Sequence, residues 1–311
     1  MFESLIITLS VLLSSGTDSV SLFKDPGFAQ GFNVSSARSL DQPNELGPLQ
    51  TSDSSASPSW RLAQWGTRYV LPPSITAVAE DGVWSVGNEA KRITIHRHAA
   101  SVAQLSLRLN GIMESNEQLR AKGEPWPHLL IEQRLGIDLA EMPEGALRLA
   151  AELRISDCRP AYWARKSLDP ALHTAQVSAY FMVHRRHAPG EMREAIWFGI
   201  PFFDARHEIP PGHFAMDIAE SGDRAKFIAC LEGERFWKGP TGDGQWHTLD
   251  ADIVALLGVA VRKAQEQGHL EGAAVSDLVL DSFNLGWEVT GPYDATLDIR
   301  GLRLNAAAST E

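Results

Sequence analysis

The segment Pro125–Leu135, PWPHLLIEQRL, places Trp126, His128, Glu132 and Arg134 on one set of alternate positions and Leu129, Ile131 and Leu135 on the other. A period of two is that of a half-buried strand, so the four polar or aromatic side chains share its outward face. An indole beside an imidazole, a carboxylate and a guanidinium suits a sugar. The ring stacks on the apolar face of a pyranose while the polar groups bind its hydroxyls. The same spacing also fits a strand whose outer face merely meets solvent, with the indole packed under a loop. Gln176, Ser178 and Asn284, on the polar sides of two other alternating runs, extend the set of candidate ligand contacts.

Catalysis on such a face would need more. Glycoside hydrolysis requires two carboxyl groups across the scissile bond, and Glu132, Glu152 and Glu288 all fall on polar sides by alternation. β-Elimination requires a charge-neutralising group and a base beside the abstracted proton, for which Arg154 with Tyr180 or His128 are the candidates. The expected catalytic set is therefore Glu132, Glu152, Arg154, Tyr180 and Glu288. The chain also has nine tryptophans. Trp60, Trp65, Trp84, Trp163, Trp237 and Trp246 lie in or near turn-rich stretches, where an indole serves either to capture sugars or to close the ends of a large sandwich.

Other chemistries find less support. His184, His187, His207 and His213 could gather a metal, but no HExxH spacing accompanies them. There is no GxSxG elbow, P-loop or GxGxxG fingerprint. Cys158 and Cys230 have no CxxC spacing, which excludes a zinc ribbon and a thioredoxin-type pair and leaves one disulfide or two free thiols. The net charge of -11 argues against a nucleic-acid partner, because phosphate binding needs a basic surface.

The elements that must position these residues are mostly strands. Alternating runs cover 93–98, 105–110, 146–156, 173–184 and 282–289, and Trp197–Phe203 is apolar on both sides like a central strand. Turn clusters separate them at 188–191, 209–213, 239–244 and 290–294. One helix is expected over 251–267, with Ile253, Leu256, Leu257, Ala260 and Ala264 on one face and Gly268 as its stop. Strands do not alternate with helices and nothing repeats at 20 to 50 residues, so doubly wound folds, TIM barrels, solenoids and propellers are excluded. An all-β, two-sheet jelly-roll sandwich with one inserted helix remains. Apolar residues make up 44% of 311, enough for a single large core.

Residues 1–22 read as a signal peptide through the apolar run Leu5–Leu13, although Glu3 stands where a basic residue is usual. A first buried strand is the alternative. A single domain is expected over 23–305 with a loop-rich stretch at 33–59 and a tail at 306–311. The expectation is a secreted or periplasmic monomer with no membrane span.

The closing stretch DSFNLGWEVTGPYDATLDIRGLRL resembles the last two strands of jelly-roll carbohydrate-binding modules and lectin-like sandwiches, of concanavalin A-like or galactose-binding-like fold. That resemblance implies a carbohydrate ligand and a structural calcium held by Asp298, with Asp277, Asp281 and Asp294 as further oxygen donors. A looser similarity to jelly-roll polysaccharide lyases rests on Glu152-Leu153-Arg154 followed by Gln176-Val177-Ser178, but Ala150 and Ser178 stand where those enzymes carry an arginine and a histidine. Three readings follow: a carbohydrate-binding protein, a polysaccharide-cleaving lyase or hydrolase using the same face, and a structural envelope protein.

Overall fold

Alternation decides most of the architecture, because each strand must bury one side against a facing sheet. The structure, a computed structural model, describes residues 21–36, 44–51, 56–97, 102–140, 142–186, 194–217 and 226–306. Within these the strands in chain order are β1 (Phe32–Ser35), β2 (Glu45–Leu49), β3 (Trp60–Ala63), β4 (Val78–Glu80), β5 (Val83–Gly87), β6 (Lys91–His96), β7 (Gln104–Asn110) and β8 (His128–Asp138). They continue with β9 (Leu147–Pro160), β10 (Ala175–Arg185), β11 (Ala195–Asp204), β12 (His213–Met216), β13 (Lys226–Cys230), β14 (His247–Asp252), β15 (Leu278–Val289) and β16 (Tyr293–Ala306). A nine-stranded sheet runs β12-β13-β11-β10-β15-β8-β3-β1-β2, and a seven-stranded sheet runs β14-β9-β16-β7-β6-β5-β4. The fold is the expected two-sheet sandwich.

The inner faces meet in one core. Phe23, Trp60, Phe283, Phe181 and Phe198 are fully or almost fully buried. Successive ring contacts join Trp60 to Phe23, Phe23 to Phe283, Phe283 to Phe181 and Phe181 to Phe198, at centroid distances of 5.2, 4.8, 5.1 and 6.1 Å. Trp287 reaches across from β15 and donates its Nε1–H to the Leu107 carbonyl on β7 at 2.9 Å, so its one polar atom is satisfied between the sheets.

The chain passes between sheets at one shared end. There β7 leads to β8, β9 to β10, and β15 to β16, since Glu288 pairs with both His128 and Gln176 while Tyr293 pairs with Pro160 and Asp294 with Asn110. That end also holds α1 (Gly111–Glu114), a single turn capped by Asn110.

The helix α2 (Ile253–Gln265) lies where the sequence places it and buries Ile253, Val254, Leu257, Ala260, Val261 and Ala264, with Leu256 half-buried. Asp252 caps its first turn by accepting from Ala255 N at 3.2 Å. Its apolar face packs on β13, β9, β14 and β11.

The stretch expected to be a loop at 33–59 instead supplies β1 and β2 to the edge of the nine-stranded sheet. Val34 and Leu49 are buried there, and their short alternation is masked by the surrounding Ser and Pro. Of the expected leader only Ser21 and Leu22 are described; Ser21 bridges Asn305 and Leu22 N donates to Leu304 O at 2.6 Å. The apolar run Leu5–Leu13, the turn at 188–191, His187 and residues 307–311 lie outside the described residues. Among the described residues no helix is long and apolar enough to cross a membrane.

One charge pair sits in the interior. Lys91 and Glu114 are fully buried; the ammonium contacts Glu114 and Thr67 and donates to the Tyr69 carbonyl at 2.8 Å. Glu114 also accepts from Arg68 N at 2.7 Å, so the pair ties the 67–69 loop to α1. Burial lowers the Lys91 pKa against the pull of Glu114. Removing one partner strands the other charge, at a cost of about 3–5 kcal/mol. Lys91→Met is expected to lower unfolding free energy by that amount in chemical denaturation. A loss under about 1 kcal/mol would contradict the pairing.

Candidate functional site

Register carries the candidate residues onto a common surface. On the outer face of the nine-stranded sheet, Arg61, Glu132, Asn284, Tyr180, Gly199, Cys230 and His213 stand opposite one another on β3, β8, β15, β10, β11, β13 and β12. Four residues toward the crossover end a second row holds His128, Glu288 and Gln176. Between them runs a row formed by Leu130, Gly286 and Ser178, of which Leu130 and Gly286 are buried. Gly286 is required there: at φ +154 its absent Cβ would lie 2.2 Å from the Leu129 carbonyl oxygen. Thus Trp126, His128, Glu132, Arg134, Gln176, Ser178, Tyr180, Asn284 and Glu288 do share one face.

Glu132 is the most perturbed carboxyl on that face. It is 3% exposed, Arg61 Nε donates to its Oε2 at 2.6 Å, and its Oε1 is buried with no hydrogen-bond partner. Burial pushes the group up to about 7 against the opposing pull of Arg61 and Arg134. Asn284, its cross-strand neighbour, is almost fully buried. Tyr180 turns away from both, over Gly199, where an added Cβ would lie 2.5 Å from its Cε1 and 3.0 Å from Cys230 Sγ. Burial, with Cys230 and Glu288 nearby, raises the phenol well above its ordinary value, so Tyr180 is a proton donor at neutral pH and no base.

At the second row Gln176 Nε2 donates to Glu288 Oε2 at 2.9 Å, and His128 Nε2 lies 3.8 Å from the same oxygen. Trp126 Nε1 donates to His128 Nε2 at 3.1 Å and His128 Nδ1 lies 3.0 Å from the Trp126 carbonyl, which fits a neutral imidazole protonated at Nδ1. Burial lowers the His128 pKa in the same direction, with Glu288 opposing. Trp126 is 38% exposed, but the Arg120 guanidinium sits over its ring at 5.2 Å, so one face of the indole is already covered. The glycine that admits the neighbouring loop is Gly66, at φ +61, where a Cβ would meet the Trp126 carbonyl at 2.1 Å.

Several expectations fail. Glu152 and Arg154 belong to β9 in the seven-stranded sheet and point from the opposite side of the sandwich. There Arg300 binds Glu152 through two bonds of 2.9 Å, Arg154 binds Asp298, and Trp246 lies under both guanidinium groups at 4.2 and 4.6 Å. Local alternation showed both strands as half-polar, but only topology says that β9 and β10 lie in different sheets. The lyase-like order Glu152, Arg154, Gln176 therefore does not assemble. Glu132 and Glu288 share the face, yet their offset of four residues on adjacent strands places their Cα atoms about 14 Å apart. Arg61 and Gln176 draw the two carboxyl groups toward opposite neighbours, so they do not form the hydrolytic pair expected across a scissile bond.

Asp298, the expected calcium ligand, accepts from Ser106 at its Oδ1 and from Arg154 at its Oδ2. Asp294 is bound bidentately by Arg108, and Asp277 accepts from Ala274 N. No group of three or more His, Cys, Asp or Glu suited to a metal occurs among the described residues. Cys158 and Cys230 are free thiols in different sheets, both pushed up to about 12 chiefly by burial. Sequence reasoning missed Arg61, which lies in the WRLA run of β3 beside the Ser- and Pro-rich stretch. It also missed an open depression of about 570 Å³ on the seven-stranded sheet, lined by Arg148, Glu152, Asp250, Arg303 and Asn305 among others. Its rim is a ladder of exposed ion pairs, Arg148–Asp250 and Arg300–Glu152.

No family model and no curated protein matches the chain. Solved structures of low similarity include a family 12 xyloglucanase from Bacillus licheniformis (9% identity, 75% of this chain and 97% of that one, TM-score 0.38). The endoglucanase Cel12A of Rhodothermus marinus (11%, 75% and 96%, 0.36) and endoglucanase 3 of Trichoderma harzianum, from family GH12 (9%, 75% and 98%, 0.38), overlap to the same degree. At these scores the overlap carries no weight for what this chain binds or does.

Because the folded-state pKa of Glu132 is raised, its contribution to stability is full below the ordinary value of 4.5 and is lost as pH rises through about 7. Between those limits the fold should lose on the order of 3 kcal/mol from this group. Glu132→Gln is expected to flatten that part of the stability profile. Denaturation curves across pH 4 to 8 that superimpose in shape for wild type and variant would contradict it.

Proposed function

We propose that the outer face of the nine-stranded sheet binds carbohydrate, with the His128–Glu288–Gln176 row and Trp126 making the contacts and the Arg61–Glu132–Asn284 row beside them. The observation that carries this reading is the strand register, which sets the half-buried His128, Glu288 and Gln176 in one row on this face beside the partly exposed Trp126. Arg61, Asn284 and Gln176 add donors, Glu288 adds acceptors, and the exposed part of Trp126 offers an apolar surface at the rim. Mixed donors and acceptors beside an indole match the chemistry of a pyranose.

Glycan cleavage is the second reading, favoured by one feature. A carboxyl poised at about 7 is protonated for a large fraction of molecules at neutral pH and suits a general acid. Glu132 would donate its proton to the glycosidic oxygen. The separation of Glu288 argues for binding as the primary role.

Both readings are tested by exposing the full chain to soluble plant, algal and bacterial glycans and measuring retention and release of new chain ends. Retention of at least one class is expected, with Asn284→Ala and Glu132→Gln each weakening it about tenfold, the equivalent of 1.4 kcal/mol. Cleavage, if it occurs, should fall at least about a hundredfold in Glu132→Gln. Neither retention nor product from any glycan would contradict the proposal and favour a structural role.

A further inference from the structure

We infer that His128 is an acid-released latch on Trp126: one proton taken up at its Nε2 breaks the hydrogen bond that fixes the indole and turns the imidazole to Glu288. This adds regulation to the carbohydrate reading above, on which its use rests, because the ring so fixed is the apolar contact of that face.

The latch is built where the chain enters β8. Trp126 and His128 flank Pro127, whose ring fixes one of the dihedrals between them. The imidazole engages Trp126 at both of its nitrogens, Nε2 with the indole Nε1–H at 3.1 Å and Nδ1 with the carbonyl at 3.0 Å. An indole N–H can only donate, so Nε2 must accept and must carry no proton. The backbone beneath is held separately. His128 N donates to the Trp65 carbonyl at 2.8 Å, and Val289 N donates to the Pro127 carbonyl at 3.0 Å. The ring pair can therefore rearrange while the strand stays in register.

An imidazolium donates from both nitrogens. A proton on Nε2 would face the indole N–H, donor against donor, and the 3.1 Å bond would be lost. A second acceptor is already in place. Glu288 Oε2 lies 3.8 Å from Nε2, and Gln176 Nε2 holds that same oxygen at 2.9 Å. A small rotation of the imidazole would close the gap to a charge-assisted bond. The two arrangements exclude each other, because one nitrogen cannot accept from the indole and donate to the carboxylate at once. Among the described residues Glu288 on β15 is the charged group that faces the imidazole. Gln176 on β10 and Trp65, whose ring lies 5.3 Å away, are neutral. Arg120 sits over the indole at 5.2 Å, and Glu132 and Arg134 stand further along β8. Burial lowers the His128 pKa and Glu288 opposes it, so the latched form holds above the ordinary 6.5 and gives way as pH falls through the lowered value.

The test follows the indole N–H resonances of the nine tryptophans in isotope-labelled full chain from about pH 8 to about pH 5, with Trp126→Phe to identify the Trp126 signal. That signal should pass through a one-proton transition with its midpoint below 6.5. Its exchange with water should rise at least about fivefold across the transition. Glu288→Gln should move the midpoint to lower pH. His128→Gln, which can accept from the indole but does not titrate, should abolish the transition. A Trp126 signal indifferent to pH, the same transition in His128→Gln, or a midpoint unmoved or raised in Glu288→Gln would each overturn the latch. Retention of soluble glycan should fall further across this range in wild type than in His128→Gln, and an equal fall would overturn the regulation. No retention at any pH, with the Trp126 signal behaving as expected, would sink the carbohydrate reading and sustain the latch.

Discussion

Parity along the strands is the constraint on which everything else depends. Two sheets that bury their inner faces force every second residue outward, and pairing register then decides which outward residues meet. Glu132, Asn284 and Tyr180 become neighbours because they occupy one register row on β8, β15 and β10. The same rule sends Leu129, Ile131, Phe283, Leu285 and Phe181 into the core. Shifting any of these strands by one residue would exchange the two sets, so the polar rows are held in place by the apolar packing beneath them.

The polar rows use that rigid base in different ways. At the Glu132 row a carboxyl is withdrawn from water with Arg61 as its hydrogen-bond partner, and the outcome is a raised pKa and a buried Oε1 without a partner. At the His128 row Trp126 satisfies both imidazole nitrogens, and Gln176 donates to Glu288. The seven-stranded sheet shows the contrasting solution. Apart from the buried Asp298, its arginines and carboxylates pair in solvent or half in solvent, and the shifts of Glu152 and Arg300 arise first from their mutual hydrogen bonds. Pairs of that kind complete a surface and add little stability. Among the described residues, buried side-chain atoms without a partner occur on both sheets, at Glu132 Oε1 and Ser35 Oγ on the nine-stranded sheet and at Asn305 Oδ1 on the seven-stranded one.

Much of this was legible in the sequence, and what was not has physical reasons. Strong alternation showed β6, β7, β9, β10, β15 and the first half of β8, and the capping Asp252 with the Gly268 stop framed α2. The outward positions of Trp126, His128, Glu132 and Arg134 followed from the same period. Alternation is blind to which sheet a strand joins, so Glu152 and Arg154 were grouped with residues that lie on the far side of the molecule. It is equally blind to ion pairing between distant segments: Asp298 met Arg154 from 144 residues away, and Arg61 met Glu132 from 71. The short edge strands β1 and β2 were hidden by Ser and Pro, whose turn signals outweigh four or five residues of alternation.

The most direct test of the account is a crystal structure with a retained soluble oligosaccharide. It should show the sugar on the outer face of the nine-stranded sheet, with hydroxyls within hydrogen-bond distance of Gln176 or Glu288, and no sugar in the depression beside Arg148 and Arg303. A ligand seated in that depression on the seven-stranded sheet, with Glu132 still unpartnered, would contradict it.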